Sequence, residues 1–364
     1  MAPNKEDVLK ALARVTDPAS GRNIVDADMI EGLVVKDGHV AFALRVDAAR
    51  ERDAEPLRKQ SEEAVHSLPG VLSVTALPTA HRAGQMRPPP APHHRPAAPS
   101  GIPGVAAVIA VASGKGGVGK STVAVNLALA LARLGLRTGL LDADIYGPSV
   151  PRLLAIREKP EQGDGNKLRP VEKFGIRAMS IGFLVDEATP MVWRGPMVQS
   201  ALTQMMGDVL WAPLDVLVVD MPPGTGDAQL TMAQRVPLKG AVIVSTPQDL
   251  ALVDARRAIA MFEKTNVPIL GIVENMSVFV CPHCGGRSHI FGEGGARATA
   301  EGMRVPFLGE IPLVGAIREL SDAGTPVVAA APDSREAQAY CAIAAQVARN
   351  IAAPQRAAPK IVVE

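Results

Sequence analysis

The sequence predicts an α/β fold, a mainly parallel sheet with helices on both faces, preceded by a small α+β domain. Three observations carry this expectation. Near-continuous apolar stretches at 105–112, 138–142, 215–220, 240–245, 268–273 and 305–308 alternate with helical ones, notably 120–134 and 249–264. Strands that are apolar on both faces belong to parallel sheets covered on each side by helices. The chain has 364 residues, and at about 150 residues per domain that makes roughly two domains. Between them lies MRPPPAPHHRPAAPSGIPG at 86–104, which cannot join a helix or ladder because proline fixes φ and lacks an amide donor. The resulting division is a small domain over 1–82, a linker over 83–104, a larger domain over 105–353 and a tail over 354–364.

Composition narrows the function. Hydrophobic residues form 47 % of the chain and aromatic residues 3 %, so a sizeable core must be built from Ala, Val, Leu and Ile. A mostly disordered chain is excluded, and so is an aromatic stacking platform for single-stranded nucleic acid. Lys and Arg number 38 against 37 Asp and Glu, a net charge of +1, unlike the broadly basic surface of a dedicated nucleic-acid binder. Three cysteines do not make a disulfide framework. The opening MAPNKEDVLKALARV carries charges where a signal peptide needs an apolar stretch. No apolar run approaches the roughly 18 residues of a membrane span. A soluble, cytoplasmic protein without nucleic-acid or membrane partners is expected.

In the small domain, Val8, Leu9, Leu12 and Val15 keep helical spacing. Val40, Phe42, Leu44 and Val46 alternate as a half-buried strand behind an Asp37–Gly38 turn. A helix near 51–67 and a strand near 71–77 complete the module. It holds no cysteine, and the sequence assigns it no chemistry.

The first strand of the larger domain runs into Ser113-Gly114-Lys115-Gly116-Gly117-Val118-Gly119-Lys120-Ser121-Thr122. This satisfies GxxxxGK[ST] between a strand and a helix, where the phosphate loop needs to stand. Its glycines let successive N–H groups curl around a phosphate, and the helix N-terminus adds its dipole. Lys120 is expected on the β/γ phosphates and Ser121 on Mg²⁺. Two apolar strands further on end in carboxylates, Leu140-Leu141-Asp142-Ala143-Asp144 and Val216-Leu217-Val218-Val219-Asp220. Strand-end aspartates also serve as caps and turn formers, but here they stand in order behind a phosphate loop. Asp220 suits second-shell Mg²⁺ binding, and Met221–Asp227 follows as a switch-like loop.

Cys281-Pro282-His283-Cys284-Gly285-Gly286 offers two thiolates spaced to chelate one metal centre. A [4Fe–4S] cluster normally takes four thiolates, which a symmetric dimer would supply if two such loops met on its axis. Zinc is a competing occupant, with His289 as a third ligand. A redox dithiol is another, although thioredoxin-like motifs open a helix rather than close a strand. The third cysteine, Cys341, lies in an Ala-rich helical stretch and is expected to be a small apolar packing residue.

The loop GKGGVGKST, with its second lysine Lys115, resembles the deviant Walker A of the MinD/ParA/nitrogenase-iron-protein class of P-loop NTPases. That resemblance implies ATP sandwiched in a homodimer, Lys115 acting in trans, Asp144 positioning the attacking water, Asp142 near the metal and Asn275 on adenine. A narrower resemblance lies in GKGGVGKST at 114–122, LDADIYGPSVP at 141–151, WRGPM at 193–197, VVDMPPGTGD at 218–227, STPQDLALVDARRA at 245–258 and ENMSVFVCPHCG at 274–285. Together these are similar to the Mrp/ApbC family of iron–sulfur cluster carriers. The family implies a slow ATPase whose [4Fe–4S] cluster is bridged by Cys281 and Cys284 of both subunits. It also implies apo iron–sulfur clients and cluster scaffold proteins as partners. The first 80 or so residues resemble the small iron–sulfur-assembly domain often fused ahead of this ATPase. A cluster-free positioning ATPase of the ParA/MinD kind and a zinc-stabilised, nucleotide-dependent scaffold are the alternatives.

Three smaller expectations complete the reading. Val198, Leu202, Met205 and Val209 repeat at helical spacing, so the Met-rich 191–206 stretch, with Met191 and Trp193, should face a core or a dimer partner. Asp249 should cap the helix that follows it. The tail AAPQRAAPKIVVE has no amphipathic stripe for a membrane.

Overall fold

The computed structural model describes residues 4–18, 21–36, 39–47, 51–71, 73–81, 101–163, 167–184, 195–236 and 238–353. The linker up to residue 100, the Asp37–Gly38 turn, Met191, Trp193 and the tail lie outside these residues. Contacts divide the chain into two units, Met1–His94 and Arg95–Glu364.

In the first unit, α1 (Lys5–Leu12) opens on a capping box. The Asn4 side chain accepts the Asp7 N–H at 2.9 Å, and the Asp7 carboxylate accepts the Asn4 N–H. β1 (Ile30–Lys36) pairs antiparallel with β2 (His39–Asp47). After α2 (Glu51–His66), β3 (Ser73–His81) returns parallel to β2. Val40, Phe42 and Leu44 are buried with Val8, Leu12, Leu57 and Val65, which is the core that the period-two and helical spacings require. β3 runs later than the expected 71–77 because β2 pairs it residue for residue as far as His81.

The second unit begins with β4 (Val105–Ala112), α3 (Lys120–Arg133), β5 (Thr138–Asp142), α4 (Val150–Leu153), β6 (Val171–Lys173) and β7 (Ile176–Ser180). It continues through α5 (Gly195–Gly207), β8 (Leu214–Asp220), α6 (Asp227–Arg235), β9 (Leu238–Ser245), α7 (Asp249–Lys264) and β10 (Ile269–Val280). It ends with β11 (Arg287–Ser288), α8 (Gly295–Met303), β12 (Phe307–Leu313), α9 (Gly315–Asp322), α10 (Val327–Ala330) and α11 (Arg335–Ala352). The sheet order is β12-β10-β9-β4-β8-β5-β7-β6, with β11 added to the far end of β10. All pairings are parallel except β6 with β7 and β11 with β10. The chain leaves β4 toward β5 on one side and later places β9 on the other. The crevice at the carboxyl end of β4 is therefore the switch point where open α/β sheets bind ligands.

Several elements depart from the sequence reading. β10 continues to Val280, because β12 lies beside it and Glu274, Asn275 and Ser277 are buried there despite being polar. The edge pair β6–β7 was not among the expected strands, because both are short and Lys173 and Arg177 interrupt their apolar residues. Asp249 is the first residue of α7 and not its cap; Gln248 takes that position, its side chain accepting the Thr246 hydroxyl rather than a helix N–H. Val198, Leu202 and Met205 of α5 are buried against the core. Cys341 is half-buried and packs on the same core.

Candidate functional site: a phosphate loop and a two-thiol hairpin

The loop between β4 and α3 surrounds a cleft of about 300 Å³ lined by Ser113, Lys115, Gly116, Gly117, Gly119, Lys120, Ser121, Thr122, Asp144, Ser149, Leu153 and Pro223. Gly117 and Gly119 take φ of +83° and +80°, a conformation that glycine adopts without a Cβ penalty. Gly119 is also the N-cap of α3, which has no side-chain cap and no acidic residue in its first turn. The helix therefore presents free N–H groups and the positive end of its dipole to the cleft. Val118 is buried beneath the loop. Gly114 is obligatory for packing, since a Cβ there would collide with the backbone of Asp254 on α7.

Lys120 is buried and places Nζ 2.5 Å from Asp220 Oδ1 and 3.2 Å from Ser121 Oγ. Oδ2 of Asp220 is buried with no hydrogen-bond partner among the described residues. An orphaned carboxylate oxygen in a buried site is costly unless a ligand completes it. With the Ser121 hydroxyl close to the same ammonium, the donor set is hard oxygen, which suits Mg²⁺ and its waters.

Asp142 pairs in register with Asp220 across β5 and β8. It accepts N–H groups from Asp144 and Val150 at 3.1 Å and the Ser180 hydroxyl at 3.0 Å. Burial, and then the charge of Asp220, push its pKa up. Asp142, expected near the metal, thus braces the 143–150 loop at the end of the strand beside Asp220. Asp144 does line the cleft, and burial raises its pKa while Lys120 opposes the rise. Asn275, expected on adenine, is buried and donates Nδ2–H to the Val118 carbonyl at 2.8 Å. Lys115 lines the cleft and has no ion-pair partner among the described residues.

Sequence reasoning missed three supporting groups. Ser180 braces Asp142. Gln229 donates to the carbonyls of Pro222 and Pro223 and ties the 221–228 loop to α6. Glu274, buried on β10, accepts the Ala296 N–H at 2.7 Å. None lies in a spacing pattern; each is recognised only by the backbone group it meets.

The cysteines form the tip of a hairpin. Phe279 and Val280 of β10 pair with Ser288 and Arg287 of β11, the Cys281 N–H reaches the Gly286 carbonyl, and the Gly285 N–H reaches the Cys281 carbonyl, both at 2.9 Å. Backbone N–H groups of Cys284 and His283 lower the pKa of the Cys281 thiol, the condition for thiolate ligation. Cys284 is exposed. His289 sits 3.7 Å from Glu293, and among the described residues no three His, Cys, Asp or Glu side chains form a metal group. A strand-to-strand tip is also not the helix start of a thioredoxin-like dithiol.

Comparison with known proteins shows the family. A family profile described as "NUBPL iron-transfer P-loop NTPase" matches residues 104–348, and one described as "Iron-sulfur cluster assembly protein" matches residues 5–76. The mouse iron-sulfur cluster transfer protein NUBPL is 56 % identical over 252 residues, 69 % of this chain and 79 % of that protein. The iron-sulfur cluster carrier protein of Escherichia coli K12 is 54 % identical over 252 residues, 69 % of this chain and 68 % of its own. Among solved structures, the nucleotide-binding protein of Archaeoglobus fulgidus in complex with ADP is 44 % identical. Its TM-score is 0.55, covering 61 % of this chain and 87 % of that one. The cell division ATPase MinD of Pyrococcus furiosus shares the fold at 21 % identity and a TM-score of 0.51, covering 67 % and 99 %. With a profile spanning most of the chain and relatives more than half identical, the chain belongs to the Mrp/ApbC family of iron-transfer P-loop NTPases.

Proposed function

We propose that this protein is a homodimeric ATPase that binds a [4Fe–4S] cluster and delivers it to apo-proteins, receiving it from cluster scaffold proteins. The observation that carries this reading is the hairpin: two thiols at one tip, the Cys281 pKa lowered by backbone N–H groups, with no third ligand assembled among the described residues. Four thiolates for a cluster then require a second copy. The cluster is cargo, so an exposed tip suits it better than a closed structural site.

Nucleotide handling falls to the loop. Backbone groups of Gly114, Gly116, Gly117, Val118 and Gly119 and the side chains of Lys120 and Thr122 hold ATP. Ser121 and, through water, Asp220 hold Mg²⁺, and Asp144 orients the attacking water. Lys115 reaches the nucleotide of the partner subunit. Support for a partner lies in the surface beside the loop. Leu250 and Val253 share one face of α7 with Asp254, which packs on Gly114, and Leu250 is 74 % exposed. Tyr146, two residues beyond Asp144, is also exposed. ATP couples to cargo only if it favours one subunit arrangement by a differential free energy.

The test is anaerobic reconstitution with iron and sulfide, reading iron, sulfide and zinc per chain. About four irons and four sulfides per dimer are expected. Cys281→Ser should lose them while still binding ATP. Tight zinc without sulfide would overturn the cluster reading in favour of a structural knuckle.

A further inference from the structure

The strand that carries the cysteines also holds the phosphate loop, and one side chain makes the connection. Asn275 Nδ2 donates to the Val118 carbonyl at 2.8 Å. That carbonyl and the N–H of Gly119 belong to one trans peptide and so point in opposite directions. Holding the carbonyl against β10 turns the Gly119 N–H toward the cleft that Gly119 lines. Loop and strand are in close contact, because a Cβ on Gly119 would collide with the Asn275 amide. Asn275 therefore sets the orientation of a phosphate-binding amide.

Just beyond Asn275 the strand departs from regular pairing. Met276 takes φ of +58°, a costly conformation for a long side chain. Between Asn275 and Phe279, four steps of β10 pass only two steps of β12, from Ile311 to Leu313. A bulge of this kind lets a strand change its twist while the ladder on either side survives. Cys281 stands two residues past Phe279. The segment after the hairpin is tied back to the same strand, where Glu274 accepts the Ala296 N–H.

From these contacts we infer that Asn275 is a positioning residue that couples occupancy of the phosphate loop to the setting of Cys281 and Cys284, with the Met276 bulge as the hinge. The inference rests on the nucleotide-coupled reading above but needs no cluster for its test. A phosphate on the Gly119 N–H biases the Val118–Gly119 peptide, and the bond to Asn275 carries that bias into β10.

The test uses full-length, cluster-free, reduced protein, alkylated with iodoacetamide with and without saturating ATP·Mg²⁺. Each cysteine is followed by peptide mass spectrometry, with Cys341 as the internal reference. In the unmutated protein, ATP should change the rate at Cys281 by about fivefold or more and leave Cys341 unmoved. In Asn275→Ala and Asn275→Asp, each at ATP saturating for that variant, the Cys281 response should fall below about twofold. The Asp variant keeps the side-chain volume but loses the donor, so it decides the matter if the Ala variant misfolds. A normal response in either folded variant, or none in the unmutated protein, overturns the inference. Failure of both variants to fold assigns Asn275 to core packing and overturns it too. Iron and sulfide loading of the unmutated protein is read separately, so the cargo reading and this coupling can fail independently.

Discussion

Lys120 and Asp220, 100 residues apart in sequence, form a buried ion pair in which one oxygen of Asp220 has no hydrogen-bond partner among the described residues. The ammonium that the loop offers to phosphate is thus held by the carboxylate that would serve the metal. On the function proposed above, nucleotide binding redistributes this pair, a triphosphate with Mg²⁺ giving a partner to each member.

Lys120→Ala should therefore cost more than nucleotide binding. Removing one member of a buried pair leaves an uncompensated charge, a loss of about 3–5 kcal/mol. The check is urea unfolding without nucleotide. Lys120→Ala should unfold well before the unmutated protein, and Lys120→Ala/Asp220→Asn should recover much of the loss. An unchanged midpoint in the single variant would mean that the pair contributes nothing.

Gly114 and Gly116 differ sharply in what surrounds them. A methyl on Gly114 meets the Asp254 backbone, whereas one on Gly116 has Pro223 Cβ at 3.9 Å as its nearest neighbour. Gly114→Ala should destabilise by about 1–3 kcal/mol through overpacking. Gly116→Ala should stay within about 0.5 kcal/mol. Equal denaturation midpoints for the two variants would contradict the packing of α7 on the loop.

The Arg137 guanidinium, bonded to both oxygens of Asp215, holds that carboxyl down to about 2. A folded-state pKa below the ordinary value of about 3.9 makes the unfolded chain take the proton first. The contribution of this pair is therefore complete above about pH 4 and lost as pH falls toward about 2. The pair lies at the surface, so the effect is modest. Asp215→Asn should show a shallower fall in stability than the unmutated protein across that window, measured by urea midpoints. Parallel curves would rule the pair out as a source of acid sensitivity.

Leu250 tests the dimer. Leu250→Glu places a charge on the exposed α7 face beside the phosphate loop, where a second copy would have to desolvate it. Light scattering with ATP·Mg²⁺ should show dimer for the unmutated protein and monomer for the variant, with unchanged thermal unfolding of the nucleotide-free chain. A variant that still dimerises would move the interface elsewhere.

By itself the sequence determined the features that depend on contiguous residues. The phosphate loop, the aspartates closing apolar strands and the CxxC were all legible, because successive backbone amides and closely spaced side chains act as local units. The strand–helix alternation was legible for the same reason, since each central strand is buried on both faces. Only the tertiary structure decided which strand ends meet. It set Lys120 on Asp220, turned Asp142 to brace a loop, and joined Asn275 to Val118 across 157 positions. It also carried β10 past its apolar stretch to the cysteine hairpin, since β12 buried polar residues that alternation alone would leave outside. Such pairings follow from sheet order and register, and these emerge from packing the whole chain rather than from any one segment.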